Sequence, residues 1–356
     1  MHPSRIIPKA NSSAASSTTG SRILGKNSRV HIVLFISYIL ATAQFLRAYF
    51  AVNESYLNAA KYELGTERMP FQGRVLMAVI MRYANSTHGL QTLASRLRGP
   101  LHYPDVLAIA IVNLVALSLL AITVSFFYRQ LSPRGSLLWM PYFLVLWMAV
   151  MTYVVRFQEA IYFPYDLLAA SLFTLGLYFC YRRSYLPLLV MFAVACFNRE
   201  TVFLLIPLVV TNAFLRVRLG KRSITDWCCA ISMSVVWFAI HIYLGHLFKN
   251  NATELGFRIH QNLKFLASPQ IWPQIASACG FLLPVPFLFW NLLNDQRLRI
   301  YTMIIPVWII LMFFVGLLPE SRIFGELIGF LSVLCTIIFE RAYRETVISA
   351  DGLQTI

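Results

Sequence analysis

The sequence predicts an all-α, polytopic membrane protein with about ten transmembrane helices, and three observations carry that expectation. Of 356 residues, 58% are hydrophobic and 13% charged, whereas soluble domains keep about a quarter of their residues charged. The apolar residues come in long runs separated by short polar stretches. The basic residues, which set a net charge of +15, cluster between those runs and fall on one side when the runs are threaded in order, as the positive-inside rule requires. Clusters of this kind argue against nucleic acid as a partner and for membrane lipid. The six cysteines lie within or beside apolar runs without a CxxC pair, so they read as packing residues rather than a disulfide framework or a zinc site.

Residues 1–29, rich in Ser, Thr, Arg and Lys, have too little apolar surface to fold and read as a disordered cytoplasmic tail. The first apolar run, 30–52, contains "ATA" at 41–43, which resembles a signal-peptide cleavage site. Apolar character continues through Phe45, Leu46 and Tyr49 to Val52, a length of about 20 residues or more that suits an uncleaved anchor. Further runs lie at 104–128, 136–155, 165–181, 185–197, 201–216, 226–246, 273–292, 300–318 and 322–339. A cytoplasmic N-terminus then places "YRQLSPR", "YRRS", "RVRLGKR", "DQRLR" and "ERAYRE" on the cytoplasmic side. The helical membrane domain spans 30–340, with outer-face loops at 53–103, 156–165 and 247–272. Residues 341–356 form a second cytoplasmic tail.

The stretch 185–216 decides the count. As one helix its 32 residues would measure about 48 Å against a hydrocarbon core of about 30 Å. Basic clusters at both of its ends favour a hairpin, whose short arms leave the apex Asn198-Arg199-Glu200-Thr201 recessed below the outer surface. Asn198 is expected to cap the second arm, with Glu200 in its first turn. Neighbours in sequence do not face one another on a helix, so Arg199 and Glu200 should each find a partner elsewhere.

Four polar stretches converge on the outer side. In "YELGTERMPFQGRVLMAVIMRYA", Val75, Leu76, Val79 and Ile80 recur at helical spacing after Pro70 and predict an amphipathic helix in the interface, with Gln72, Arg74 and Arg82 off that stripe. "RFQEAIYFPYD" holds Glu159, Tyr162 and Asp166; "NRET" holds Arg199 and Glu200; "PESRIFGE" holds Glu320, Arg322 and Glu326. Arginines alternating with carboxylates around a recess suit a phosphate or diphosphate, which guanidinium grips with paired N–H groups, while a carboxylate takes a proton. Adjacent aromatic faces suit a sugar or a lipid head group. Arg156, Arg74 and Arg82 also fit plain contacts to lipid phosphate, and inter-helix salt bridges would equally explain the ionisable residues within spans. The sequons at Asn53, Asn85 and Asn251 fall on the same side and matter only in a secretory-pathway host.

"PFQGRVLMAVIMR", "YFPYDLLAASLFTLGLYFCYRRSYLPLLVMFAVACFNRETVFLLIPLVV" and "ESRIFGELIGFL" resemble the bacterial multi-spanning membrane proteins grouped near the GT-C glycosyltransferases, including relatives with an "RET" turn and a late E-x-R-I. The resemblance covers about 50–345. It implies an enzyme of the bacterial inner (plasma) membrane, both termini cytoplasmic, that moves a sugar from a polyprenyl-phosphate carrier to an acceptor on the outer face. It further implies a carboxylate base in the first outer loop: Glu54 is the best match, with Glu63 and Glu67 as substitutes and Glu200 as a second catalytic candidate. The chain departs from the group in having isolated glutamates where an acidic pair such as DxD is common. On this reading Arg199, Arg322 and Arg74 stabilise charge on the departing phosphate, Glu159 and Asp166 hold sugar hydroxyls, and Gln72, Tyr162 and Glu320 complete the substrate-binding set. No resident metal or other cofactor is required, although Glu159 and Asp166 could hold Mg or Mn. The competing class is a flippase or transporter of a lipid-linked or anionic solute, which also uses interrupted helices with charged apices.

Overall fold

The computed structural model describes residues 19–133, 135–155, 161–254 and 256–353. These residues form helices joined by short turns, with one strand pair. In chain order the helices are α1 (Thr19–Val52), α2 (Ala59–Leu64), α3 (Val75–Ser86), α4 (His88–Ser95), α5 (Pro104–Leu131), α6 (Met140–Tyr153), α7 (Asp166–Arg182) and α8 (Tyr185–Cys196). There follow α9 (Leu205–Arg218), α10 (Ile224–Leu247), α11 (Ile259–Leu266), α12 (Trp272–Ala276), α13 (Val285–Leu288), α14 (Gln296–Thr302), α15 (Ile304–Val315) and α16 (Ile328–Leu353). Among the described residues, six helical stretches are long and apolar enough to cross a membrane: Ile32–Val52, Pro104–Leu131, Glu200–Arg218, Ile224–Leu247, Gln296–Val315 and Ser321–Thr346. The all-α, polytopic character expected from composition is therefore present.

Polar contacts sort the helix ends into two layers. At one end, the lower, Tyr128 donates to Glu340 at 2.9 Å, Tyr181 donates to Asp295 at 2.7 Å, and Asp226 receives Arg183 and Arg216 at 3.9 and 3.6 Å. At the upper end, Asn53 donates to the Tyr153 carbonyl at 3.0 Å, Asn198 to that of Tyr165 at 3.2 Å, and Asn262 to those of Phe313 and Gly316 at 2.7 and 2.8 Å. Between the layers the contacts are mainly apolar, with Tyr38 donating to the Leu117 carbonyl at 2.9 Å, and α16 runs through the middle with Phe330, Leu331, Val333 and Leu334 at 0% exposure. Gly329 lets α16 approach α7 and α5 closely, since a methyl group there would overlap Thr174 and Leu120.

The hairpin predicted for 185–216 is present. Tyr185 at the start of α8 and Arg216 near the end of α9 both meet Asp226, while the apex Asn198 lies beside Tyr165 at the opposite end of α7. Asn198 is not the cap, however. The residue entering the second arm is Arg199, in extended conformation, and the first turn is the 3-10 segment Glu200–Leu204. The Asn198 amide instead fastens the apex to α7.

Four further expectations need correction. The run 273–292 is not one helix: Pro269–Ala276 and Ala278–Leu288 meet at 77°, with Cys279, Gly280 and Phe281 at φ of 51°, 65° and 65°. Pro273, Pro284 and Pro286 remove backbone donors on both sides of that break. Helix α3 buries Met77, Ala78, Met81 and Ala84, whereas Val79, assigned to the apolar stripe, is 58% exposed. Its sequence is apolar nearly all round, so periodicity could not choose the packed face. Helix α1 begins at Thr19 and α16 continues to Leu353, so helix extends into both segments assigned to the tails. Lastly, the loops at 53–103 and 156–165 are joined by a parallel pair, β1 (Glu54–Ser55) with β2 (Ile161–Tyr162), too short to show a period in sequence.

Candidate functional site

A cavity of about 660 Å³ lies at the upper end, and several elements meet there because their backbones are tied together. Residues 66–69 are joined to the 248–258 loop by Met69 N–H to the Ala252 carbonyl at 2.7 Å and Glu254 N–H to the Met69 carbonyl at 2.8 Å. The Asn251 amide adds bonds to the carbonyls of Gly65 and Glu67 at 3.0 and 2.6 Å. The segment bearing Glu320, Arg322 and Glu326 is held by Trp308 to the Ile323 carbonyl at 2.9 Å, Gln274 to that of Pro319 at 2.7 Å, and Ser321 to that of Thr152 at 2.7 Å. Such anchoring fixes charged side chains that loops alone would leave mobile.

Arg199 and Glu200 leave the hairpin apex in different directions. The Arg199 guanidinium, 6% exposed, stands 3.2 Å from Asp166 and 3.0 Å from Glu326, while Thr201 donates its hydroxyl to Glu326 at 2.8 Å. Glu200 instead takes two N–H contacts from Arg74, at 3.0 and 2.5 Å. Arg322 extends the first set, lying 3.8 Å from Asp166 and 2.5 Å from Glu320 with its guanidinium 3.9 Å from the centre of the Phe163 ring. Arg74 sits likewise over Tyr165 at 4.6 Å. Pairing and ring contact together offset the cost of taking these charges from water.

Arg74, Arg199, Glu200, Glu320 and Arg322, all selected from sequence, line this cavity, and Asp166 lies directly behind it. Three selected residues do not join them. Glu54 is exposed on β1 and outside the lining. Gln72 is committed to the loop backbone, accepting from Glu67 N–H at 3.0 Å and donating to the Tyr62 carbonyl at 3.2 Å. Tyr162 packs edge-on against Phe50 at 5.3 Å and faces a different, smaller cavity. Glu159 lies outside the described residues.

Sequence reasoning missed Tyr56, Arg68, Glu254 and Arg258. Glu254 is bound by Arg68 and accepts from Tyr56 at 3.3 Å, and burial together with Glu254 pushes the Tyr56 phenol above its ordinary range. Arg258 lines the cavity, contacts Gln261 at 3.3 Å, and belongs to none of the ion pairs among the described residues. It occupies an irregular loop with no spacing to mark it. Among the cavity carboxylates, both oxygens of Glu200 and of Glu254 have partners, whereas Glu320 uses one oxygen on Arg322 and keeps Oε1 unbonded among the described residues.

No group of three or more His, Cys, Asp or Glu residues suited to a metal occurs among the described residues. Asp166, expected as a cation ligand, is held between Arg199 and Arg322, a setting that disfavours Mg or Mn there. Of the sequon asparagines, Asn53 and Asn251 spend their amides on backbone carbonyls and Asn85 donates to Glu63 at 2.8 Å.

Part of the cavity lining is apolar. Leu311, Met312 and Val315 come from α15, within a membrane-length apolar helix, and Phe257, 82% exposed, stands at the rim. The recess thus combines charged side chains with apolar ones from a helix long and apolar enough to cross a membrane. No protein family, curated protein or solved structure matches the chain.

Proposed function

We propose that the protein is an integral membrane glycosyltransferase of the GT-C kind, crossing a bacterial plasma membrane about ten times with its lower end cytoplasmic. Its donor would be a sugar on a polyprenyl-phosphate carrier. The observation that supports this most is the mixed lining of the cavity: among the described residues, four arginines and three glutamates share it with apolar side chains of α15. A soluble anion has no use for the apolar side chains, and a plain lipid has none for the charges. A lipid phosphate bearing a polar group uses both.

In this reading the carrier tail lies against Leu311, Met312 and Val315, and its phosphate meets Arg258 and Arg322. An acceptor hydroxyl attacks the anomeric carbon as the bond from that carbon to the phosphate oxygen breaks. The electron pair leaves on the phosphate, where guanidinium charge stabilises it. The hydroxyl proton passes to Glu320 Oε1, the oxygen left free by Arg322. Arg74 and Glu200 orient one another rather than move protons, and Glu54 has no part.

A second reading, transport of a lipid-linked anion, draws on the two interrupted helical stretches, 185–218 and 269–288, since broken helices commonly frame transport sites. One assay separates them: transfer of radiolabelled sugar from polyprenyl phosphate in membranes holding matched amounts of wild type, Glu320→Gln, Arg258→Ala or Glu54→Gln. The transferase reading expects loss of at least a hundredfold in Glu320→Gln, about tenfold or more in Arg258→Ala, and little change in Glu54→Gln. Wild-type membranes that transfer nothing but carry labelled lipid between leaflets would replace it with transport.

A further inference from the structure

A second cavity, of about 190 Å³, lies across the β1–β2 ladder from the first. Strand alternation makes the partition: Tyr56 and Ile161 border the large cavity, while Ser55 and Tyr162 border the small one. Three tyrosines, Tyr62, Tyr103 and Tyr162, line it together with a single charged residue, Asp105. Among the described residues, no Lys, Arg or His contributes to its wall, and Asp105 takes part in none of the ion pairs.

Two of the rings are rigidly set. Tyr62 donates its hydroxyl to the Arg74 carbonyl, and Tyr162 is wedged against Phe50 and Tyr49. Burial foremost pushes both phenols above the ordinary tyrosine value, so they stay neutral, and Asp105 is the one charged side chain among the described residues lining the space. Tyr103, 62% exposed, stands at the mouth.

Asp105 lies in the first turn of α5, where the helix dipole helps to carry its charge. That placement suits a carboxylate but does not account for three aromatic side chains lining a void beside it. Rings around one uncompensated carboxylate suit an organic cation, which the π faces attract diffusely and the carboxylate neutralises. A neutral sugar would stack on the rings and leave the charge unbalanced. We infer that this cavity binds an alkylammonium group, with Asp105 as counter-ion and the three tyrosines as its cage. The site is separate from the charged cavity and does not depend on the transferase reading. Its ligand comes either from a lipid head group or from a free amine.

The test is calorimetric titration of choline into the whole protein in nanodiscs of phosphatidylglycerol, beside two uncharged controls, the carbon isostere of choline and glucose. Choline should bind at least tenfold more tightly than either control, and Asp105→Asn should lose at least tenfold in choline affinity. Equal binding of choline and its isostere, or no choline binding by wild type, would overturn the proposal. If Asp105→Asn fails to fold, Tyr103→Ala at the exposed mouth serves in its place, with a weaker loss of about threefold or more expected. Unchanged affinity in a folded variant of either kind counts against the cage. Repeating the titration in phosphatidylethanolamine nanodiscs assigns the source: suppressed choline binding identifies a lipid head group, and unchanged binding a free amine.

Discussion

Arg74 and Glu200, 126 positions apart, are joined by two N–H contacts, Nε to Oε2 at 3.0 Å and Nη2 to Oε1 at 2.5 Å. The contact ties the loop before α3 to the hairpin apex, and leaves the adjacent Arg199 free to serve Asp166 and Glu326 instead. Replacing Arg74 by Ala and Glu200 by Gln, singly and together, should therefore show non-additive loss of thermal stability, with a coupling of about 1–2 kcal/mol. Arg74→Lys should recover only part of it, because an ammonium cannot reproduce the fork. Unfolding in detergent, followed for all four proteins, gives the cycle directly.

Arg199 is the more deeply held cation, and its removal should cost more. Arg199→Leu takes from Glu326 its ion-pair partner and leaves Asp166 with Arg322 alone, both carboxylates being nearly fully buried at 2% and 1% exposure, and is expected to destabilise by about 3–5 kcal/mol. Thr201→Val removes only the hydroxyl on Glu326 and should cost about 1–2 kcal/mol. Expression level and melting temperature of the two variants check the order.

Gly329 makes a packing prediction independent of charge. A methyl group there meets Thr174 and Leu120, so Gly329→Ala should lower stability by about 1–3 kcal/mol, and Gly329→Ala with Thr174→Ala should restore part of it. Melting curves of the single and double variants decide the matter.

The hairpin, and the parting of Arg199 from Glu200, were legible in sequence because length, basic flanks and helical geometry each constrain them. The cavity was legible only in part. Arg74, Arg199, Arg322 and Glu320 stood out as charges beside apolar runs, yet Glu254 reaches the site through backbone bonds between two loops and Arg258 through its N–H on the Phe314 carbonyl of α15, which no periodicity encodes. Gln72 and Tyr162 were misassigned for a related reason. Proximity in sequence to Arg74 and Asp166 does not fix which way a side chain turns, and alternation along β1 and β2 sent Tyr162 to the opposite face. The break at Cys279–Phe281 was invisible because Pro and Gly are tolerated in membrane helices and need not end one.

Crossing number has its own test. Cys228 is exposed while the other five cysteines are buried, so a Cys228→Ser background isolates introduced sites. An impermeant thiol reagent applied outside intact cells should label Phe257→Cys and reach Lys221→Cys only after permeabilisation. Labelling of both from outside would contradict the alternation of upper and lower ends.

The proposed function rests on a lipid-borne anion occupying the cavity of charged and apolar lining. Retention of polyprenyl phosphate by the purified protein, compared with uncharged polyprenol of equal length, measures this most directly. Preference for the phosphate by at least tenfold, lost in Arg258→Ala and Arg322→Ala alike, is the predicted result. Equal retention of phosphate and alcohol, or a preference that both variants keep, would contradict it.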